Sequence, residues 1–131
     1  MISHQSISLV NLDNLTAKEI VKTLPSLSHE SKIHAIKKLA IIRDSNSISA
    51  LVQIVVAKRN ETDIRSIALL ALGSFTNYDY VIHLKNRAIH HIGELAKNII
   101  KLEKKNIMVY DAAKICLYEF EKRRDMLQPY Y

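Results

Sequence analysis

Hydrophobic residues recur every three or four positions along most of this chain, which is the spacing that lines one side of an α-helix. In residues 29–43, Ala35, Ile36 and Leu39 share one side of the helical wheel, whereas Lys37 falls on the other. No stretch shows the regular alternation of apolar and polar residues that predicts a half-buried strand. The pattern therefore predicts an all-α protein.

Capping residues and polar turns divide this pattern into six helices. Thr16 and Glu19 have the spacing of a capping box, which predicts a short helix that begins near Ala17 and ends before Pro25. Ser28 is the predicted N-cap of the second helix. The remaining predicted segments are helices at about 29–43, 47–59, 64–75, 79–103 and 107–127, with turns at 44–46 and at 60–63, where Thr62 is the predicted N-cap.

These helices define one domain with short extensions. Residues 1–15 lack clear periodicity and are interpreted as an N-terminal leader. Residues 16–127 form the predicted helical repeat domain, and residues 128–131 are expected to fray.

One segment of the pattern recurs along the chain. Residues 64–75 repeat residues 31–42 with Ala68 in the place of Ala35, an offset of 33 residues (68 − 35 = 33). An offset of this size is typical of stacked repeats, in which each unit buries its apolar side against its neighbours. The pattern therefore predicts antiparallel helix pairs whose shared contact positions are Ala35 and Leu39, Ala68 and Leu72, and Ala113 and Leu117.

The repeated pattern resembles the HEAT-repeat family, especially the HEAT-like repeats of phycobilin lyases and related scaffolds. The resemblance covers about residues 29–103 well and 107–120 loosely. It implies a short right-handed HEAT-like α-solenoid of about three helix-pair units, in which Asp44 and Arg65 hold polar positions that line up along the stack. The matching run is Ala35-x-x-x-Leu39-Ala40-x-Ile42-x-Asp44, then Ile48-x-x-Leu51, then Ile64-Arg65-x-x-Ala68-x-x-x-Leu72-Gly73.

A row of polar residues on the fifth predicted helix is the candidate binding surface. Steps of three and four residues place its members on one ridge, opposite an apolar face that includes Ile92, Leu95 and Ile99. The resemblance implies that this helix lines the concave surface on which such stacks bind partners. A merely solvated helix face is the alternative. The ridge consists of His83, Arg87, His90, Glu94, Lys97 and Lys101.

The formal net charge of +6 favours an acidic partner. Lysines and arginines outnumber acidic residues between Lys85 and Arg124, which also admits electrostatic binding of nucleic acid. Glutamates interrupt this basic tract, and no aromatic residues suited to base stacking alternate with its lysines. An acidic protein surface therefore ranks above nucleic acid as the predicted partner.

No arrangement of residues typical of catalysis, metal binding or cofactor binding is found in the sequence. His90 and Glu94 could supply two metal ligands, but no motif supplies a third and a fourth. His29 and His34 are assigned to the solvated side of their helix. Cys116 falls on the apolar side of the last helix, so it is predicted to be a core residue and not a nucleophile.

The remaining features predict a cytoplasmic location without membrane insertion. The chain has a single cysteine, no N-terminal signal and no apolar run long enough to span a membrane. We expect a non-catalytic protein-binding scaffold or adaptor, and self-association that extends the stack stays open. One alternative is a HEAT-like accessory subunit for pigment (phycobilin) attachment or phycobilisome handling, which rests on the resemblance alone. The other is an electrostatic nucleic-acid binder.

Overall fold

The computed structural model describes residues 15–42, 44–76 and 86–127, with side chains for 15–42, 44–76 and 90–122. The leader, apart from Leu15, and the tail at 128–131 lie outside these ranges. Within them the chain forms helices and no strands, which confirms the all-α prediction. The helices are α1 (Ala17–Thr23), α2 (His29–Ile42), α3 (Ser45–Val56), α4 (Thr62–Phe75), α5 (Asn86–Leu102) and α6 (Ile107–Leu127).

The first two helices begin at the predicted caps. The Thr16 hydroxyl accepts a hydrogen bond from the Glu19 amide at 3.2 Å, and the Glu19 carboxylate accepts one from the Thr16 amide at 3.0 Å. This reciprocal pair is the predicted capping box. The Ser28 hydroxyl accepts from the Ser31 amide at 3.2 Å. Helix α1 ends before Pro25, which lies in a short 3-10 turn at Leu24–Ser26.

Helix α3 begins earlier than predicted because Asp44 is its N-cap. The Asp44 carboxylate accepts a hydrogen bond from the Ser47 amide at 2.7 Å. This bond satisfies one of the free amides of the first turn and allows the helix to begin at Ser45. Residues 44–46, predicted as a turn, are therefore a cap and the first residues of a helix.

Helix α3 also ends three residues earlier than predicted, because two distant side chains bind its last carbonyl groups. The Asn60 side-chain amide donates to the carbonyl of Ile54 at 2.9 Å. The Arg65 Nε donates to the carbonyl of Val55 at 2.7 Å. With these acceptors satisfied, the chain turns away after Val56.

Helix α4 begins at Thr62, with Glu61 at the N-cap position, so the prediction that Thr62 is the cap was wrong. The Glu61 side chain makes no capping hydrogen bond. Its carboxylate is instead engaged by residues of α2, as described below.

Each helix contacts the helix that comes two places before or after it along the chain. Helix α1 packs against α3, and α3 against α5; in the same way α2 packs against α4, and α4 against α6. From α2 to α6, each helix also packs against the next one along the chain. The core lies between these helices. Among the repeated positions, Leu117 is partly buried, whereas Ala35, Leu39, Ala68, Leu72 and Ala113 are fully buried.

Both glycines of the chain lie where α6 approaches other helices. A Cβ atom on Gly73 would lie 3.1 Å from the Cα of Cys116, and one on Gly93 would lie 2.5 Å from the ring of Phe120. A side chain at either position would require Cys116 or Phe120 to shift. The absence of a side chain at these two positions therefore permits α4 and α5 to pack closely on α6.

Candidate functional site

The predicted binding ridge follows α5. His83 lies outside the described residues, and Arg87 lies in α5 without a described side chain. The other four ridge residues are exposed, and the predicted burial of the opposite face is confirmed. The exposed residues are His90, Glu94, Lys97 and Lys101, and the buried ones are Ile92, Leu95 and Ile99.

The charges of the ridge partly compensate one another. One carboxylate oxygen of Glu94 lies 3.7 Å from Nε2 of His90 and 3.8 Å from Nζ of Lys97. Pairs this exposed contribute little to stability, because water screens them. Lys101 makes no ion pair within the described ranges. Its charge is therefore available to a partner.

The two polar positions implied by the family resemblance have different surroundings. Arg65 is buried, with a side chain only 5% exposed. Its two terminal nitrogens donate to the two carboxylate oxygens of Glu103 at 2.8 and 2.6 Å. Asp44 is exposed and caps α3. In the described contacts Arg65 thus pairs with Glu103, and its bond to Val55 joins the end of α3 to the same pair.

Burial shapes the electrostatics of this pair. The Glu103 side chain is 13% exposed. The hydrogen bonds from Arg65 lower the pKa of Glu103 below its ordinary value, although burial acts in the opposite direction. The bidentate geometry satisfies both carboxylate oxygens, which is what makes a buried ion pair tolerable. The pair therefore joins α4 to the end of α5.

A second cluster, which the sequence analysis missed, joins the beginnings of α2 and α4. Nδ1 of His29 lies 2.7 Å from Glu61, and Nε2 lies 2.6 Å from Asp63. Lys32 Nζ lies 2.7 Å from the other oxygen of Glu61. Both ring nitrogens face carboxylates, and the arrangement therefore favours the doubly protonated imidazolium form of His29, which can donate to both. His29 is exposed, as expected for the solvated side, but it bridges two helices.

The repeat offset contains the signal for this cluster. Adding 33 residues to His29 reaches Thr62, which lies between the two carboxylates (29 + 33 = 62). Equivalent positions of stacked units are neighbours in space. Comparing the polar residues across the offset, and not only the apolar ones, would have brought His29 together with Glu61 and Asp63.

The cluster shifts the pKa values of its members in opposite directions. The hydrogen bond with Glu61, followed by the effects of Asp63, raises the pKa of His29 above 6.5. Hydrogen bonds from Lys32 and then from His29 lower the pKa of Glu61 to about 2. Each shift favours the charged form of the group, so the contacts within the cluster stabilise its ion pairs.

In the described part of the chain, one group of side chains could hold a metal ion. It consists of His29, Glu61 and Asp63, whose ligand atoms all lie within 4.8 Å of one another. A cation there would displace the His29 proton and face the ammonium group of Lys32. The helix dipoles place partial positive charge at the N-termini of α2 and α4, which would also repel a cation. The arrangement favours a proton over a metal ion.

This geometry makes the stability of the protein depend on pH. A raised folded-state pKa means that His29 stabilises the fold below pH 6.5 and loses that contribution as the pH rises through the folded pKa. Glu61, with a lowered pKa, stabilises the fold above pH 4.5 and loses that contribution as the pH falls toward about 2. We expect the melting temperature of His29→Asn to fall less than that of the native protein between about pH 6 and about pH 9.

His34→Asn is the matched control, since His34 is an exposed histidine of the same helix. It should keep the native pH dependence. Melting curves followed by circular dichroism at several pH values measure both slopes. An unchanged slope in His29→Asn would contradict the ion-pair assignment.

Cys116 belongs to the core, as predicted. It is fully buried, and burial raises the pKa of its thiol to about 12. The thiolate, which is the reactive form, is therefore suppressed at neutral pH.

In the described ranges, no helix has both the length and the apolar character needed to cross a membrane. Comparison of the whole chain with protein-family models, with curated proteins and with solved structures finds no match.

Proposed function

We propose that this protein is a non-catalytic scaffold or adaptor, built as a short right-handed HEAT-like solenoid, that binds a partner protein with an acidic surface. The helix contacts support the stacked arrangement, because α1, α3 and α5 contact in series, and so do α2, α4 and α6. Contacts between every second helix are what a stack of helix pairs requires. The burial of Ala35 and Ala68 at equivalent positions supports the same interpretation.

The exposed ridge on α5 is the observation that carries the proposed function. Its described side chains are all exposed, whereas Ile92 and Ile99 on the other side are buried in the core. A partner can therefore bind the ridge without disturbing the packing. Its lysines favour a negatively charged partner and would accelerate the encounter with it.

Charge reversal tests this proposal. Lys97→Glu combined with Lys101→Glu should abolish capture of proteins that the native chain retains from its native lysate, because both changes place negative charge at exposed positions against an acidic partner. Helicity and melting temperature should stay nearly native, since exposed substitutions change stability by only about 0.5 kcal/mol.

The matched control reverses two exposed lysines of other helices, Lys37 on α2 and Lys114 on α6. This variant should capture the same proteins as the native chain. Capture that survives the ridge reversal would show that the binding site lies elsewhere.

Nucleic acid is the second candidate partner, favoured by the net charge of +6. Binding of this kind would be weak, independent of sequence and steeply dependent on salt. Nuclease treatment of the lysate separates the two proposals, because a partner bound through nucleic acid would be lost and a directly bound protein would remain.

A further inference from the structure

A groove runs between α1 and α3 on the outer surface of the protein. It consists of two adjoining depressions of about 710 Å³ and 420 Å³ that share Val21 and Gln53. The larger one extends to Asn46 near the beginning of α3, and the smaller one extends to Arg59 beyond its end. The groove therefore follows the whole of α3, which at 1.5 Å per residue is about 18 Å long.

Apolar side chains are accessible along this groove. Val21 is partly buried in the middle. Ile42 is 38% exposed at one end, and Val56 is 54% exposed at the other. Covering these side chains would remove apolar surface from water, which favours an occupant with apolar side chains of its own.

The charges beside the groove have one predominant sign. Among the described residues, four cationic side chains line it, and none of them makes an ion pair with another described residue. The acidic residue of the lining, Asp44, is engaged as the cap of α3. An occupant with carboxylates would complement this distribution. The four cations are Lys18, Lys22, Lys58 and Arg59.

We propose that this groove binds an extended acidic segment of a partner protein, with apolar side chains over Val21 and Val56 and carboxylates beside the four cations. This inference rests on the proposed function and adds a second contact to the ridge on α5. An extended chain advances about 3.3 Å per residue, so a groove of about 18 Å takes five or six residues. The lining residues include no aromatic side chain for base stacking, which favours a peptide over a nucleic acid.

Fluorescence anisotropy with defined probes tests the groove. The main probe is a labelled peptide of sequence Glu-Leu-Glu-Val-Glu-Glu, whose two apolar side chains are two residues apart and so lie on the same side of an extended chain. Its comparison probes are a peptide with lysine in place of each glutamate, a peptide of glutamates only, and a single-stranded oligothymidylate. We expect the main probe to bind more tightly than the comparison probes and its binding to weaken at higher salt. The lysine peptide should not bind.

Three variants of the protein locate the site. Lys18→Glu with Arg59→Glu should weaken binding of the main probe by about tenfold or more, because two attractive contacts become repulsive. Val56→Asn, which adds no charge, should weaken binding of the main probe but should hardly affect the glutamate-only peptide, whose binding needs no apolar contact. The control, Lys37→Glu with Lys114→Glu, should bind like the native chain. All three change exposed residues, so melting curves should remain close to native.

The outcomes distinguish the groove from the ridge. If replacing Lys97 and Lys101 with glutamate abolishes binding of the main probe, and replacing Lys18 and Arg59 does not, the groove proposal is overturned. The scaffold proposal then stays intact. If the groove variant loses binding of the main probe, and the ridge variant still captures the same proteins from the lysate, the groove proposal is supported. The ridge is then rejected as the binding site. Stronger binding of oligothymidylate through Lys18 and Arg59 would overturn the peptide in favour of nucleic acid.

Discussion

Arg65→Ala is expected to lower the free energy of unfolding by up to about 3–5 kcal/mol, the cost of breaking a buried ion pair, because it leaves the partly buried carboxylate of Glu103 without its counter-ion. Arg65 donates two hydrogen bonds to Glu103, and the two side chains are 5% and 13% exposed. Arg65 also binds the carbonyl of Val55 at the end of α3, so its loss leaves that acceptor without its side-chain donor as well. Denaturant unfolding followed by circular dichroism measures the change.

Two further variants isolate the cause. Arg59→Ala removes an arginine that is exposed, so it should change stability by only about 0.5 kcal/mol. Replacing the pair together, as Arg65→Met with Glu103→Leu, should recover most of the loss, because no unpaired charge stays buried. A double variant as unstable as Arg65→Ala would mean that the packing of the arginine stem, and not the charge, stabilises this region.

Leu72→Ala is expected to cost about 2–5 kcal/mol, as large-to-small substitutions in a core do. Leu72 is fully buried in α4, which packs against α2, α3, α5 and α6. A cavity in α4 should therefore destabilise the helices on both sides of it as well, because they pack directly against α4.

Leu70→Ala provides the comparison within the same helix. Leu70 is 42% exposed, so the same change in volume there should cost much less. Hydrogen exchange on Leu72→Ala should show faster exchange in α2 and α6 as well as in α4. Equal costs for the two leucines would contradict the burial of Leu72, and exchange confined to α4 would contradict the coupling between units.

The sequence by itself determined the helices and the sides that they bury. Helix α6 spans the predicted residues 107–127, and Ala68 and Leu72 are buried as the repeat predicts. These features depend on the 3.6-residue period and on caps formed within three residues, such as Thr16 with Glu19. All of this information is local along the chain.

Only the tertiary structure decided where α3 ends, which polar groups pair and where a groove lies between helices. Arg65 donates to the carbonyl of Val55, 10 residues away in sequence, and to Glu103, 38 residues away. His29 contacts Glu61, which is 32 residues away. Lys18 and Arg59 lie beside one groove because α1 packs on α3. Helical periodicity shows which side of a helix is buried, but not which helix covers it. Contacts between distant polar residues therefore become visible only once the helices are packed.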